Sequence, residues 1–167
     1  MSIRLMHYDP RWRQEFQQTR SSLLHSCQGW VTQVEHIGST AIDGLIARPV
    51  IDVLAVVDDG QTDTDSAMQE AALLIEGLNF GRQVPPMWAA ETICLVKPRR
   101  GLETHRVYLT YPNSPFVSSS LAVREQLQSD RELALQFEEQ KVRCWKESEG
   151  DVDLYAEKMS PYFSELL

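Results

Sequence analysis

The sequence predicts one α/β (α+β) domain over residues 1–167: a mixed β-sheet flanked by helices, with a helical carboxy-terminal part. Two observations carry that expectation. Val50–Val57 is almost wholly apolar and β-branched, the pattern of a strand buried on both faces. Helical and strand periods alternate through the first two thirds of the chain, and helical periods fill the last third.

The elements follow in order. Asp9 reads as an N-cap and Pro10 as a first helical position, and Trp12, Phe16, Leu23 and Cys27 then share one helical face. Gly29 closes that helix, and Val31–Ile37 is a β-rich run broken by Gly38-Ser39-Thr40. After the buried strand, Asp58-Asp59-Gly60 and the polar residues to Asp65 form a loop, and Ser66–Leu78 carries apolar residues at helical spacing. Thr92–Lys97 and Thr104–Tyr111 flank the turn-rich Pro98-Arg99-Arg100-Gly101, which predicts an antiparallel hairpin. From Ser114 three helices are expected, divided near Asp130-Arg131 and at Gly150-Asp151.

Composition removes several classes of function. With 167 residues, 43% of them hydrophobic, the chain can bury roughly 70% of its unfolded surface and needs neither disulfides nor a structural metal to fold. Cys27, Cys94 and Cys144 are widely spaced and form no CxxC pair, against a zinc knuckle or a disulfide framework. No apolar run approaches the roughly 20 residues that span a bilayer. Met1-Ser2-Ile3-Arg4 runs into His7, Asp9 and Pro10 without an apolar h-region, so a cytoplasmic protein is expected. Net charge is −8, and no basic run exceeds Arg99-Arg100, so a duplex nucleic acid is not an expected partner.

One segment carries chemistry: Val34 to Leu54, where a strand, a Gly38-Ser39-Thr40 turn, a connector containing Gly44 and a buried strand follow one another. Glycine permits close backbone approach, the Ser39 and Thr40 hydroxyls and turn amides can donate to an anion, and Asp52 can hold a hard cation through oxygen. Asp52 is the single ionisable side chain in the apolar strand. Burying it alone costs several kcal/mol, so a metal ion, Arg48 or a neighbouring histidine or hydroxyl must compensate it. Arg48 precedes Pro49 in an extended segment, where its fork can face a phosphate or carboxylate. Met87-Trp88 after Pro85-Pro86 reads as a lip over a pocket. Lys97, Arg99 and Arg100 form a basic cluster able to meet a phosphate tail if the hairpin lies beside the turn.

Glu35-His36-Ile37-Gly38-Ser39-Thr40, Gly44-Leu45, Arg48-Pro49 and Ile51-Asp52-Val53 together closely resemble the GrpB family, whose members look like members of the nucleotidyltransferase superfamily. His7-Tyr8-Asp9-Pro10-Arg11-Trp12 with Phe16, and Thr104-His105, extend the resemblance over most of the chain. It implies a nucleotidyltransferase-like mixed sheet backed by helices, a Gly-Ser turn that handles nucleotide phosphates, and strand carboxylates that hold divalent metal such as Mg²⁺. Twelve residues, Thr40 to Ile51, separate Ser39 from Asp52, which fits the superfamily pattern. The departure is Leu54. It stands two residues after Asp52, where a second carboxylate would share the strand face, so a symmetric two-metal site cannot come from this strand alone.

Two principal readings follow. In the first, Mg²⁺-assisted nucleotidyl transfer, Asp52 binds the metal, Glu103 or His105 completes the catalytic set, and Gly38, Ser39, Thr40, Arg48 and His36 hold the nucleotide. In the second, Leu54 marks a catalytically degenerate relative that keeps the pocket as a nucleotide-binding, phosphate-binding or interaction module. A minor third reading, metal-dependent hydrolysis, has His105 join His36 and Asp52 in a mixed nitrogen and oxygen metal site. In each principal reading the partner is a nucleotide or another phosphorylated small molecule.

Overall fold

A computed structural model describes residues 2–58, 60 and 63–166. The expected loop after Asp58 passes through Asp59, Gln61 and Thr62, which lie outside the described residues. Five strands form one sheet: β1 (Val31–Ile37), β2 (Ile51–Val57), β3 (Gly81–Gln83), β4 (Ile93–Lys97) and β5 (His105–Thr110). Their order is β1-β2-β5-β4-β3. The central pair, β2 and β5, is parallel with Asp52 opposite Arg106, while β1 runs antiparallel to β2 with Ile37 opposite Asp52. β4 pairs antiparallel with both β5 and β3. The hairpin and the mixed sheet therefore stand as expected, and the short edge strand β3 is added to them.

Strand alternation sorts β2 into two faces. Ile51, Val53, Ala55 and Val57 pack with Val107 and Leu109 of β5 in the main core. That core is closed by α1 (Arg11–Ser26) through Trp12, Phe16 and Leu23, and by α2 (Thr64–Glu76) through Met68, Ala71 and Ile75. The helical spacing in the sequence marked these same apolar stripes. On the opposite face, Leu54 and Val56 pack with Ile37, Cys94, Tyr108 and Phe116. Asp52 shares that second face by alternation.

The last three helices, α3 (Pro115–Ser129), α4 (Arg131–Glu147) and α5 (Val152–Leu166), begin and end at the expected divisions. Asp130 caps α4, its Oδ1 accepting the Leu133 amide at 3.1 Å. Leu127, Ala134, Phe137, Cys144, Tyr155 and Met159 form a separate cluster with Ile3, Ile42 and Leu45. The amino-terminal segment ties this layer to the sheet. The Ile3 amide donates to the Gly150 carbonyl at 2.7 Å, the Trp145 indole donates to the Ile3 carbonyl at 3.1 Å, and Met6 and Ala47 exchange backbone hydrogen bonds at 2.8 and 3.0 Å. The Met6–Ala47 pairing fixes the connector from which Arg48 projects.

The basic cluster seen in the sequence divides. Arg99 donates to the carbonyls of Phe80 and Glu76 and so clasps the end of α2, while Lys97 lies 6.0 Å from the Phe80 ring. Neither lines the cavity beside the Gly-Ser turn.

Leu54 is fully buried within the second-face cluster. Leu54→Ala is expected to lower unfolding free energy by about 2–5 kcal/mol in a denaturant titration; a loss below about 1 kcal/mol would contradict the packing role assigned to it.

Candidate functional site

On the Asp52 face, the sheet and the carboxy-terminal helices border a half-open cavity of about 260 Å³. Ile37, Gly38 and Ser39 come from the end of β1 and its turn, Arg48 and Val50 from the connector, and Asp52, Arg106 and Tyr108 from the central strands. Glu103 stands just before β5. Trp88 closes one side, and α3, α4 and α5 contribute Phe116, Phe137, Lys141, Tyr155 and Phe163. The lip expected at Met87-Trp88 is present: Trp88 reaches the cavity while Met87 is 92% exposed.

The turn between β1 and the connector brings backbone against Asp52. A Cβ on Gly38 would lie 2.5 Å from Asp52 Oδ2 and 3.0 Å from Asp52 Cβ. Gly38 also has φ 74° and ψ −173°, a region open essentially to glycine alone. Two independent constraints therefore demand glycine here, one of conformation and one of space.

His36 and Thr40 hold the turn from behind. The Thr40 hydroxyl donates to the Val50 carbonyl at 3.1 Å, so at 2.9 Å it accepts the Nε2–H of His36. The imidazole stacks on Phe16, with ring centroids 4.7 Å apart. Burial, together with the charges of Arg124 and Arg13, pushes His36 down to about 4. It is a neutral strut at neutral pH. The expectation that His36 and Thr40 touch the phosphate is corrected: neither lines the cavity, because alternation turns His36 toward α1 and Thr40 is buried with its hydroxyl committed.

His105 is corrected for the same reason. It pairs with Ile51, on the α1 face of the sheet, and lines a different depression with Glu15, Thr19 and Lys97. Its Nδ1 lies 2.8 Å from the Thr104 hydroxyl. Asp52, His36 and His105 do not converge, which removes the three-residue hydrolytic site.

Of the predicted set, Gly38, Ser39, Arg48, Asp52 and Glu103 do meet. Glu103 precedes the regular strand and turns to Arg106, which donates to it through Nε and Nη2 at 2.8–3.2 Å. Arg48 Nη2 donates to Glu103 Oε1 at 3.2 Å and its guanidinium lies 5.9 Å from the Tyr155 ring. Asp52 makes no side-chain hydrogen bond among the described residues. Burial, opposed in part by the charge of Arg106, pushes its carboxyl up to about 7.

Sequence reasoning missed Arg106 as a site residue and missed Lys141 entirely. Lys141 is 2% exposed, and its Nζ donates to the Ile46 carbonyl at 2.7 Å and lies 5.4 Å from the Phe137 ring. Burial, opposed by Asp52 and Glu138, brings its ammonium down to about 7. A signal was available, since Lys141 stands four residues after Phe137 on the apolar stripe of α4.

This donor set tests the expected Mg²⁺. Among the described residues no group of three or more His, Cys, Asp or Glu is placed to hold a metal ion. Asp52 is a lone carboxyl, Glu103 is occupied by two guanidinium groups, and Leu54 neither ligates nor lines the cavity. Arg48, Arg106 and Lys141 surround the same volume. A resident divalent cation does not fit these residues.

Gly38→Ala is expected to cost about 2–4 kcal/mol in unfolding free energy through backbone strain and the clash with Asp52; an unchanged melting temperature would contradict the close approach. Asp52 also sets a pH dependence. The unfolded chain releases this proton near the ordinary carboxylate value of about 4. Between there and pH 7 the folded protein holds the proton more tightly, so its stability falls as pH rises through that window. The charges facing Asp52 are Arg106, Glu103, Arg48 and Lys141. Asp52→Asn keeps the neutral shape, so its melting temperature should gain on that of the wild type from pH 4 to 7, by about 1–3 kcal/mol equivalent at pH 7. A gap that does not change with pH would contradict the raised proton affinity of this carboxyl.

Solved structures share this fold. The conserved protein GrpB from Enterococcus faecalis superposes with a TM-score of 0.78 at 22% identity, over 97% of this chain and 95% of that one. The Cid1 poly(U) polymerase, in a crystal structure with Mg 3′-dATP bound, gives a TM-score of 0.53 at 12% identity, over 95% of this chain and 49% of that one. A UPF0157 protein of Streptomyces coelicolor is 28% identical over 160 residues, 96% of this chain and 80% of that protein. A UPF0157 protein of Halalkalibacterium halodurans is 43% identical over 63 residues, 38% of this chain and 32% of that protein. The family model described as GrpB protein matches residues 2–167: the chain belongs to the GrpB family and has a nucleotidyltransferase-like fold.

Proposed function

We propose that the cavity binds a nucleotide or a closely related phosphorylated small molecule, and that the protein acts as a ligand-binding member of the nucleotidyltransferase fold. The observation that carries this reading is the cavity's division into two chemistries. One side holds Arg48, Arg106 and Lys141 against two carboxyls, Asp52 and Glu103. The other is aromatic: Trp88 lies 5.5 Å from Phe163, 5.7 Å from Tyr108 and 6.3 Å from Phe116, ring centroid to ring centroid. A surplus of cations beside a wall of rings suits a ligand with an anionic end and a planar apolar end.

The roles follow from position. Arg48 uses one guanidinium nitrogen on Glu103 and lines the cavity, where its remaining donors can meet phosphate oxygens. Ser39 stands at the cavity edge with a hydroxyl able to donate. Trp88 and Phe163 offer faces for a base or another flat group. Asp52, its proton held up to about neutral pH, can exchange a hydrogen bond with a ligand hydroxyl.

A second reading, Mg²⁺-assisted nucleotidyl transfer, draws on the fold shared with a polymerase whose structure contains Mg and 3′-dATP, and on Asp52 lying against the Gly38-Ser39 turn. The occupied Glu103 and the aliphatic Leu54 weigh against it, since charge neutralisation by metal in this fold class relies on paired carboxylates.

Calorimetric titration with nucleotides and with the matching nucleosides tests the first reading. Nucleotides should bind at least about tenfold more tightly, and Arg48→Met should erase most of that advantage. Absence of any nucleotide binding, or equal binding of nucleosides, would overturn it. Release of pyrophosphate from a nucleoside triphosphate that is lost in Asp52→Asn would decide for the second.

A further inference from the structure

We propose that Lys141 on α4 is an anion-binding residue of the cavity and that, with Arg48, it holds the phosphate of a nucleoside monophosphate or similar phosphomonoester without a divalent cation. This rests on the reading that the cavity takes a phosphorylated ligand, and it adds which residue carries the charge and which class of phosphate fits.

Lys141 is the most deeply buried cation of the site. It is 2% exposed yet lines the cavity, and it forms no ion pair with any described carboxylate. An ammonium has three N–H donors; one is used, on the Ile46 carbonyl at 2.7 Å. The Phe137 ring at 5.4 Å supplies a second, weaker partner. An ammonium withdrawn from water is costly unless it meets an opposite charge. The two carboxyls at hand do not meet that need within bonding distance, because Glu103 is shared by Arg48 and Arg106 and Asp52 makes no contact with Lys141 short enough to be an ion pair. A ligand anion seated between α4 and the connector can take up the remaining donors of Lys141 together with those of Arg48 that Glu103 does not use.

The same geometry argues for a small phosphate. A cavity of about 260 Å³ sits at or below the lower end of the roughly 300–1,000 Å³ typical of small-molecule sites. A metal-chelated triphosphate calls for a set of carboxylate donors that the described residues do not assemble. The basic residues that line the site, Arg48, Arg106, Arg124 and Lys141, favour an anion over an incoming divalent ion.

The test uses the full chain and calorimetry with the four common ribonucleoside monophosphates, in excess EDTA and again in Mg²⁺. At least one monophosphate should bind with the same affinity in both buffers, and Lys141→Met, which keeps the length and apolar stem, should weaken it by about 10- to 100-fold. Monophosphate binding that requires Mg²⁺, or a folded Lys141→Met protein with wild-type affinity, would overturn this inference while leaving the cavity a nucleotide site. If no nucleotide of any kind binds, both this inference and the proposed function fall. Should Lys141→Met not fold, the metal dependence of the wild-type protein and the affinity of Arg48→Met decide the question on the same criteria.

Discussion

The close approach of Asp52 to Gly38 is the constraint on which the site depends. The carboxyl of a central strand lies where the turn following the neighbouring strand would otherwise carry a Cβ, 2.5 Å from Asp52 Oδ2. That approach needs a glycine with φ near 74° and needs the turn to be held in place. His36 and Thr40 supply the hold from the far face of the sheet through two hydrogen bonds of 2.9 and 3.1 Å. The connector is anchored in turn by Asp43, which accepts from Tyr8 at 3.0 Å and Arg13 at 2.7 Å. The Tyr8-Asp9-Pro10 segment is thus explained as scaffolding: Tyr8 fastens the connector and packs edge-on against Trp12, whose ring lies 5.7 Å away.

Charge is distributed against the average of the molecule. The chain carries −8 overall, yet its cavity gathers Arg48, Arg106 and Lys141 around Asp52 and Glu103. Long-range attraction of an anion to the protein as a whole is therefore weak, and selectivity resides in the short-range, partly desolvated contacts inside the cavity. Two residues after Asp52, β2 carries the aliphatic Leu54 in place of a second carboxylate. Leu54 joins the hydrophobic cluster with Tyr108 and Phe116, so that position contributes to folding rather than to ligation.

Much of the architecture was legible in the sequence because its signals are local. The apolar β-branched run gave β2, helical stripes gave α1 and α2, and capping residues such as Asp130 placed the later boundaries. Gly38, Ser39, Arg48 and Asp52 were legible as a group because one stretch of chain holds them all. What escaped was set by register and by tertiary distance. His105 sits one residue from Arg106, and strand alternation sends the two to opposite faces; Glu103, two residues before His105, escapes that alternation because it precedes the ladder and turns toward Arg106 and Arg48. Lys141 stands about ninety residues after Asp52, and only the packing of α4 over the connector brings it to the cavity. Edge strand β3 is three residues long, too short to show a period.

Asp52 is a half-buried, unligated carboxyl that faces the cavity it shares with Arg48, Arg106 and Lys141. Carbon-13 NMR of the Asp52 side-chain carboxyl across a pH titration, with and without Mg²⁺, measures this directly. The account predicts a midpoint raised to about 7 that Mg²⁺ does not move. A midpoint near the ordinary value of about 4, or one driven down when Mg²⁺ is added, would contradict it.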